Sequence, residues 1–434
     1  KEVLRDPFLR CQTPSGDGTE ASTWHLNAML PNGRQAALSL DGRGVRVGII
    51  DSGLAMSSPV KDKVAAYRDF TTEPKTDMSD EIGHGTAVAS LIVDDEVGLA
   101  PGSQLIVAKV IERIRFSDEG KDREQVGAFA SRIIAAMQWM VDPDGDDRTD
   151  DKPAVVNCSW GFPENPYLAH GHFQEAISQW IEASIVPVFA AGNHRGGHQV
   201  VNFPADYENV IAVGAIDRNL QLAQFSCQGS PEKSPIKPDL VAPGVDLTVH
   251  LAVGKRTQQG TSFAAPLVSA TVALLSQVHP RMTFYQARDA LRYGCQDLGP
   301  EGKDRQFGFG AVNSEASVDW MIDELAWTGP SRANRFVLPR AALKMYLLLC
   351  ERAGDFAVDE ALRRFSQNFT DYFVNSLARD DQTPVIMLKR ANANLSSSDR
   401  QKCAGLFKAL GRAVRAMDEL EESDREALLN AIVN

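Results

Sequence analysis

The chain has 434 residues and a net charge of −12, with 43% hydrophobic and 24% charged residues. That length accommodates one large domain and a smaller one, and the acidic balance argues against a nucleic-acid binder, which needs clustered Lys and Arg to neutralise phosphates. Six cysteines, at 11, 158, 227, 295, 350 and 403, are too scattered for a disulfide framework; they include no Cys-x-x-Cys pair that would suggest zinc, and they read as reduced thiols or at most a stray bridge.

In chain order, residues 1–23 are polar and rich in Gly, Ser and Thr around SGDGTEAS, as an arm or linker would be. The opening KEVLRDPFLRCQ has no signal-peptide apolar region, and a start at Lys1 leaves open a removed leader or pro-segment. From Trp24 onward, short β-branched runs alternate with amphipathic stretches. The strand candidates are Val45–Ile50, Gln104–Val110, Ala154–Cys158, Val186–Ala190 and Val210–Val213, and the helical ones Thr86–Val93, Val126–Met140 and His172–Ala183. This alternation predicts an α/β domain over residues 24–322, a mainly parallel sheet with helices on both faces. Runs such as VRVGII and VPVFAA are apolar throughout, as central parallel strands are. Residues 258–277, QQGTSFAAPLVSATVALLSQ, read as a buried helix, and no apolar run approaches the roughly 18 residues of a membrane span. Beyond residue 322 the pattern changes. Apolar residues at 3–4 spacing with few strand signals predict an all-α domain over 323–434, with SSSD at 396–399 capping one helix.

Three short stretches carry chemistry. VRVGIIDSG (45–53) ends a buried strand in Asp51, and functional groups gather at strand carboxyl ends in open α/β sheets. GHGTAVASLI (83–92) places His84 between two glycines at a helix start. GTSFAAP (260–266) places Ser262 at another helix start, where a hydroxyl can project while its own N–H points at a developing oxyanion. Pro266 has no N–H, so the Ser262 carbonyl lacks its usual helical donor. Taken singly, each residue has a plain structural reading: a loop or cap aspartate, a loop histidine, an N-cap serine.

Together, in the order Asp, His, Ser, these stretches resemble the subtilisin-like serine proteases, the subtilases. VVNCSWG (155–161), VFAAGN (188–193), NFPADYENVIAVGAID (202–217) and PDLVAPG (238–244) are similar to further segments of that family, so the resemblance runs from about Trp24 to Asp319. It implies a serine endopeptidase of subtilisin-like fold acting through an acyl-enzyme. Ser262 would be the nucleophile, His84 the base and then the acid, and Asp51 the group that orients His84 and stabilises its charged form. Asn193 and the Ser262 N–H would hold the oxyanion. Ser159, Trp160, Gly161, Ala191 and Gly192 would line the substrate site, although Trp160 has a second reading as a packing residue.

Some residues depart from the family pattern. HGTAVAS and GTSFA carry Ala87 and Phe263, neither of which alters the chemistry. IVDDEVGLAPG after His84 leaves little room for the calcium loop of secreted subtilisins, so that site is not carried over. The charged stretch IERIRFSDEGKDREQV replaces a Gly-containing substrate edge and puts the distal subsites in doubt. Asp142, Asp144, Asp146 and Asp150 in the loop 142–151 resemble the first half of an EF-hand, but Pro153 stands where the closing Glu belongs, which favours a solvated acidic loop over calcium. The pairs His170/His172 and His194/His198 read as loop histidines, so no metal is assigned and no cofactor is required.

The implied partner is a polypeptide substrate, with an inhibitory or regulatory protein partner conceivable through the C-terminal helices, and with neither nucleic acid nor membrane expected. Cysteine usage and the N-terminus point to an intracellular protein, the family resemblance to export; both stay open. Two other function classes also stay open: a regulated interaction protein whose output is proteolysis, and a pseudoprotease that binds through the same fold.

Overall fold

In a computed structural model, the described residues are 6, 8–10, 23–31, 40–118, 121–146, 148–162, 170–194, 200–231 and 235–327. The chain divides into two compact units, Lys1–Val318 and Asp319–Asn434. The helices expected beyond Trp327, with the cap at 396–399, lie outside the described residues.

Seven strands form the central sheet: β2 (Arg46–Asp51), β3 (Val64–Asp69), β4 (Gln104–Lys109), β7 (Val155–Cys158), β8 (Val186–Ala190), β9 (Ile211–Ile216) and β10 (Leu240–Pro243). Their order is β10-β9-β8-β7-β2-β4-β3, and every neighbouring pair is parallel. From β2 the chain crosses to the edge strand β3, comes back to β4 between the two, and then passes to the other side of β2 with β7. β2 is therefore the switch point, and the crevice at its carboxyl end is where such sheets place function.

Burial on both faces explains the unbroken apolar runs. Ile50, Ile106, Val156, Cys158 and Phe189 share a core with Ile133 and Met137 of a helix over Ala130–Trp139, and with Phe173, Ile177 and Trp180 of a helix over His170–Glu182. The opposite face packs on the helix Thr261–Val278, whose described core residues are buried from Thr261 to Ser276. That helix, 18 residues of mean hydropathy 1.4, is long and apolar enough to cross a membrane, which corrects the expectation that no run reaches that length. It is 89% buried inside the domain. Its hydroxyls do not make it polar, because Ser269, Thr271 and Ser276 donate to the carbonyls of Ala265, Leu267 and Val272, four residues back.

A second difference lies at residues 112–129. The expected helix Val126–Met140 begins only at Ala130, and the preceding residues form a hairpin of β5 (Glu112–Asp118) and β6 (Lys121–Phe129). Cross-strand pairing prevails here over a weak helical period: Arg113 stands opposite Val126 and ion-pairs with Glu124 at 3.1 Å. The arm expected at residues 1–23 adds a strand to this sheet, β1 (Phe8–Arg10), antiparallel to Gly127–Phe129.

Trp180 is fully buried and donates through Nε1 to the Met137 carbonyl at 2.8 Å, tying the two helices on that face together. Trp180→Ala should cost about 3–5 kcal/mol, read as a fall in the urea unfolding midpoint; an unchanged midpoint would contradict this role.

Candidate active site

The site is assembled at the carboxyl ends of β2, β7 and β8 and at the starts of two helices. Asp51, the last residue of β2, is fully buried. Its Oδ1 accepts from the Ser52 N–H at 2.7 Å and lies 2.7 Å from His84 Nδ1; Oδ2 has no partner among the described residues. His84 opens the helix His84–Val93 and is 10% exposed at its side chain. Burial pushes the imidazole below its ordinary 6.5, but the Asp51 charge, the hydrogen bond to it and the Asp80 charge together hold it above that value.

Two glycines allow the strand end and the helix start to meet. A Cβ on Gly85 would stand 2.2 Å from the Gly53 carbonyl oxygen, and one on Gly53 would stand 2.1 Å from the Ser79 carbonyl oxygen at a φ of +104°. The Gly85 N–H donates to Ser52 Oγ at 2.8 Å. The two glycines flanking these motifs are thus there for backbone contact, and the contact brings the imidazole to the carboxylate.

Ser262 is in the first turn of its helix and 5% exposed. The carbonyl that Pro266 deprives of a helical donor accepts from Ser159 Oγ at 2.7 Å. Ser262 Oγ in turn donates to the Ser159 carbonyl at 3.0 Å, and His84 Nε2, also buried, has no partner among the described residues. The Phe263 ring lies 5.7 Å from the His84 ring, so the residue that departs from the family pattern packs beside the imidazole. A relay of buried groups supports the serine: Ser269 Oγ donates to Asn157 Oδ1 at 3.0 Å, and Asn157 Nδ2 to Ser159 Oγ at 2.8 Å.

Asn193 follows β8. Its Oδ1 accepts from the Thr261 N–H at 2.9 Å and from Thr261 Oγ1 at 3.1 Å. With Oδ1 held by Thr261, the residue that precedes Ser262, Nδ2 is the donor end of this amide.

The expected substrate-lining residues separate. Trp160 is 4% exposed, its Nε1 donates to the Ile50 carbonyl at 2.8 Å, and its indole packs among Phe162, Phe173 and Phe189. Its side chain is therefore core, because a ring that large at a strand end finds an aromatic cluster beneath it. Ala191 is fully buried, with its N–H and carbonyl bonded to Val213 and Asn202. Gly192 donates to Thr261 Oγ1 at 3.1 Å, and Ser159 and Gly161 stand at the end of β7.

Residues that motif reading passed over include Asp80, Ser52, Asn157, Thr261 and Lys109. Asp80 had a signal, an acidic residue just ahead of an apolar helix, which is the pattern of an N-terminal cap. Elsewhere, one carboxylate oxygen from each of Asp142, Asp144 and Asp151 falls within 4.8 Å of the others. Asp142, Asp144 and Asp151 accept from amides of their own loop, and Asp146 pairs with Arg148. His172 is exposed beside Glu175 at 4.0 Å; the side chains of His170 and His198 lie outside the described residues.

The raised His84 value has a sign. The Asp51 pair stabilises the fold fully below about 6.5 and loses that contribution as pH rises through the higher folded value. An NMR titration should place the His84 midpoint above 6.5 in the native chain and below it in Asp51→Asn, where burial is opposed only by Asp80. A native midpoint at or below 6.5 would show that the pair does not control the imidazole.

Known proteins are similar to this chain over the domain that holds the site. The Subtilase family model matches residues 42–310. Bacillopeptidase F of Bacillus subtilis (strain 168) is 30% identical over a match of 342 residues that covers 71% of this chain and 23% of that protein. Serine protease AprX of the same organism is 29% identical over 334 residues, 69% of this chain and 70% of that one. Subtilisin E, also from that organism, is 31% identical over 285 residues, 64% of this chain and 66% of the relative. The chain spans less than a quarter of Bacillopeptidase F, so likeness to it covers one part of a longer protein. The family match takes in the whole parallel sheet and all the site elements built above, and the chain belongs to the subtilase family.

Proposed function

We propose that this chain is a serine endopeptidase that hydrolyses peptide bonds through an acyl-enzyme. The observation that carries the reading is the Asp51–His84 pair, 2.7 Å apart and buried, with Nε2 without a partner among the described residues and the ring 5.7 Å from that of Phe263, the neighbour of Ser262. A neutral imidazole oriented through Nδ1 is a competent base at Nε2. For the reaction Ser262 Oγ must exchange its acceptor from the Ser159 carbonyl to that nitrogen, and such contacts commonly tighten only when substrate binds.

The chemistry then follows. His84 Nε2 takes the Ser262 Oγ proton as Oγ attacks the scissile carbonyl carbon, and the carbonyl π pair moves onto oxygen. The Asn193 Nδ2–H and Ser262 N–H donate to that oxyanion. The Ser262 amide is in the first helical turn, where it has no carbonyl partner within the helix and the helix dipole favours negative charge. The Asp51 carboxylate stabilises the imidazolium. Collapse of the tetrahedral species expels the amine, which takes the proton from His84, and water repeats the sequence on the ester to release the acid and restore Ser262. The substrate is a polypeptide, and no step calls for a cofactor.

A fluorophosphonate probe tests this reading: it should label the native chain at Ser262 and fail on Ser262→Ala and His84→Ala. Asn193→Ala should lower kcat about 100- to 1000-fold on a peptide substrate, the loss that removal of one oxyanion donor causes in subtilisin, a member of the same family. Absence of labelling in the folded native chain would overturn the proposal.

A further inference from the structure

The helix that carries His84 has an unusual start. Its N-cap is Gly83, at φ +86°, which has no side chain to satisfy the first amides. Asp80 supplies the missing acceptors from outside the helix. Its Oδ1 accepts from the Gly83 N–H at 2.7 Å and the Ile82 N–H at 3.1 Å, and its Oδ2 from the Thr86 N–H at 2.9 Å and Thr86 Oγ1 at 2.6 Å. Thr86 Oγ1 itself accepts from the Ala55 N–H at 3.1 Å, in the loop that follows Asp51. Asp80 is thus linked through one hydroxyl to the segment that places the carboxylate partner of His84.

The residues beside Asp80 are anchored from the opposite side. Lys109 ends β4 as the register partner of Asp51 and is 4% exposed. It donates to Ser79 Oγ at 2.9 Å and pairs with Glu81, which also pairs with Lys75 at 2.6 Å. The charged groups around His84 therefore differ in kind. Asp51 is its hydrogen-bond partner, Glu81 is balanced by two lysines, and the helix Thr261–Val278 presents Ser262 and Phe263, neither charged. The nearby Cys158 thiol is kept protonated by burial. Asp80 accepts four hydrogen bonds, yet among the described residues it has no ion pair, so its charge is left to act on the imidazole.

We propose that Asp80 is a positioning residue for His84: it holds the first turn of the helix against the Asp51 loop and keeps a negative charge without an ion-pair partner at the helix start that carries the ring, with Lys109 anchoring the loop that carries it. The inference rests on His84 being the general base. It goes beyond that reading by giving this carboxylate two separable effects. The geometric one sets where the ring stands; the electrostatic one favours the imidazolium that forms as Ser262 loses its proton.

The test uses the full chain and the second-order rate of fluorophosphonate labelling from pH 5 to 9, with thermal unfolding to verify folding. Asp80→Asn keeps the shape, removes the charge and cannot accept on both sides. It should lower the plateau rate about 10-fold and move the acid midpoint down by about half a unit. Thr86→Val keeps the charge but loses the hydroxyl link, so it should lower the plateau and leave the midpoint in place. A folded Asp80→Asn with the native midpoint would overturn the proposal, whether or not its plateau fell, because a purely structural cap moves only the plateau. Should Asp80→Asn fail to fold, Asp80→Ser, which keeps one acceptor and removes the charge, decides in the same way: a lowered midpoint supports the proposal, and a native midpoint overturns it. Failure of the underlying reading looks different, since His84→Ala would then label as fast as the native chain.

Discussion

A buried carboxylate beside a buried imidazole governs this site. Asp51 has no exposed surface, and one of its oxygens meets no donor among the described residues. A charge taken out of water is costly unless a partner and hydrogen bonds compensate it. Here the compensation comes from the Ser52 amide and from His84, both on Oδ1. The strand end and the helix start are consequently not free to drift apart. Gly53 and Gly85 permit their contact, Ser52 bridges it, and Asp80 closes the turn from outside. The same arrangement raises the imidazole above its ordinary value, so that it is set up to receive a proton.

The other half of the site depends on a helix that is buried nearly all round. Small and apolar residues let Thr261–Val278 lie close on the sheet, and its hydroxyls are absorbed by its own carbonyls or by the sheet. Pro266 opens one gap in the helical hydrogen bonds, and Ser159 fills it. A proline in a helix interior normally destabilises it; here the released carbonyl becomes the point at which β7 grips the serine-bearing turn. Thr261, one residue earlier, holds Asn193 by its carbonyl end. Ser262 and Asn193 are therefore located by adjacent residues of one turn, which limits their relative motion.

Much of this was legible in the residues. Asp51, His84, Ser262 and Asn193 each sit at a strand end or helix start, and such positions leave local marks: an apolar run, a glycine, a small-residue helix. Contacts between remote residues leave no such mark. The link from Ser269 to Asn157 spans 112 positions and that from Ser159 to Ser262 spans 103. Trp160 could equally have shaped a subsite or filled the core, and only the positions of Phe162, Phe173 and Phe189 decide for the core. The helix expected from Val126 starts late for a related reason: pairing between the two arms makes Val126–Phe129 the end of a hairpin strand.

By itself, the sequence determined the alternation that builds a parallel sheet and the strand-end and helix-start positions of Asp51, His84 and Ser262, because each follows from backbone preference and burial over a few neighbouring residues. The tertiary structure decided how those side chains are held: which oxygen of Asp51 meets His84, what replaces the helical donor of Ser262, and what caps the histidine helix after a glycine. Those answers depend on which remote group arrives within hydrogen-bond distance, and hydrogen bonds lose their strength beyond a few tenths of an ångström. Local pattern does not carry that precision. It comes from packing the strands and helices together.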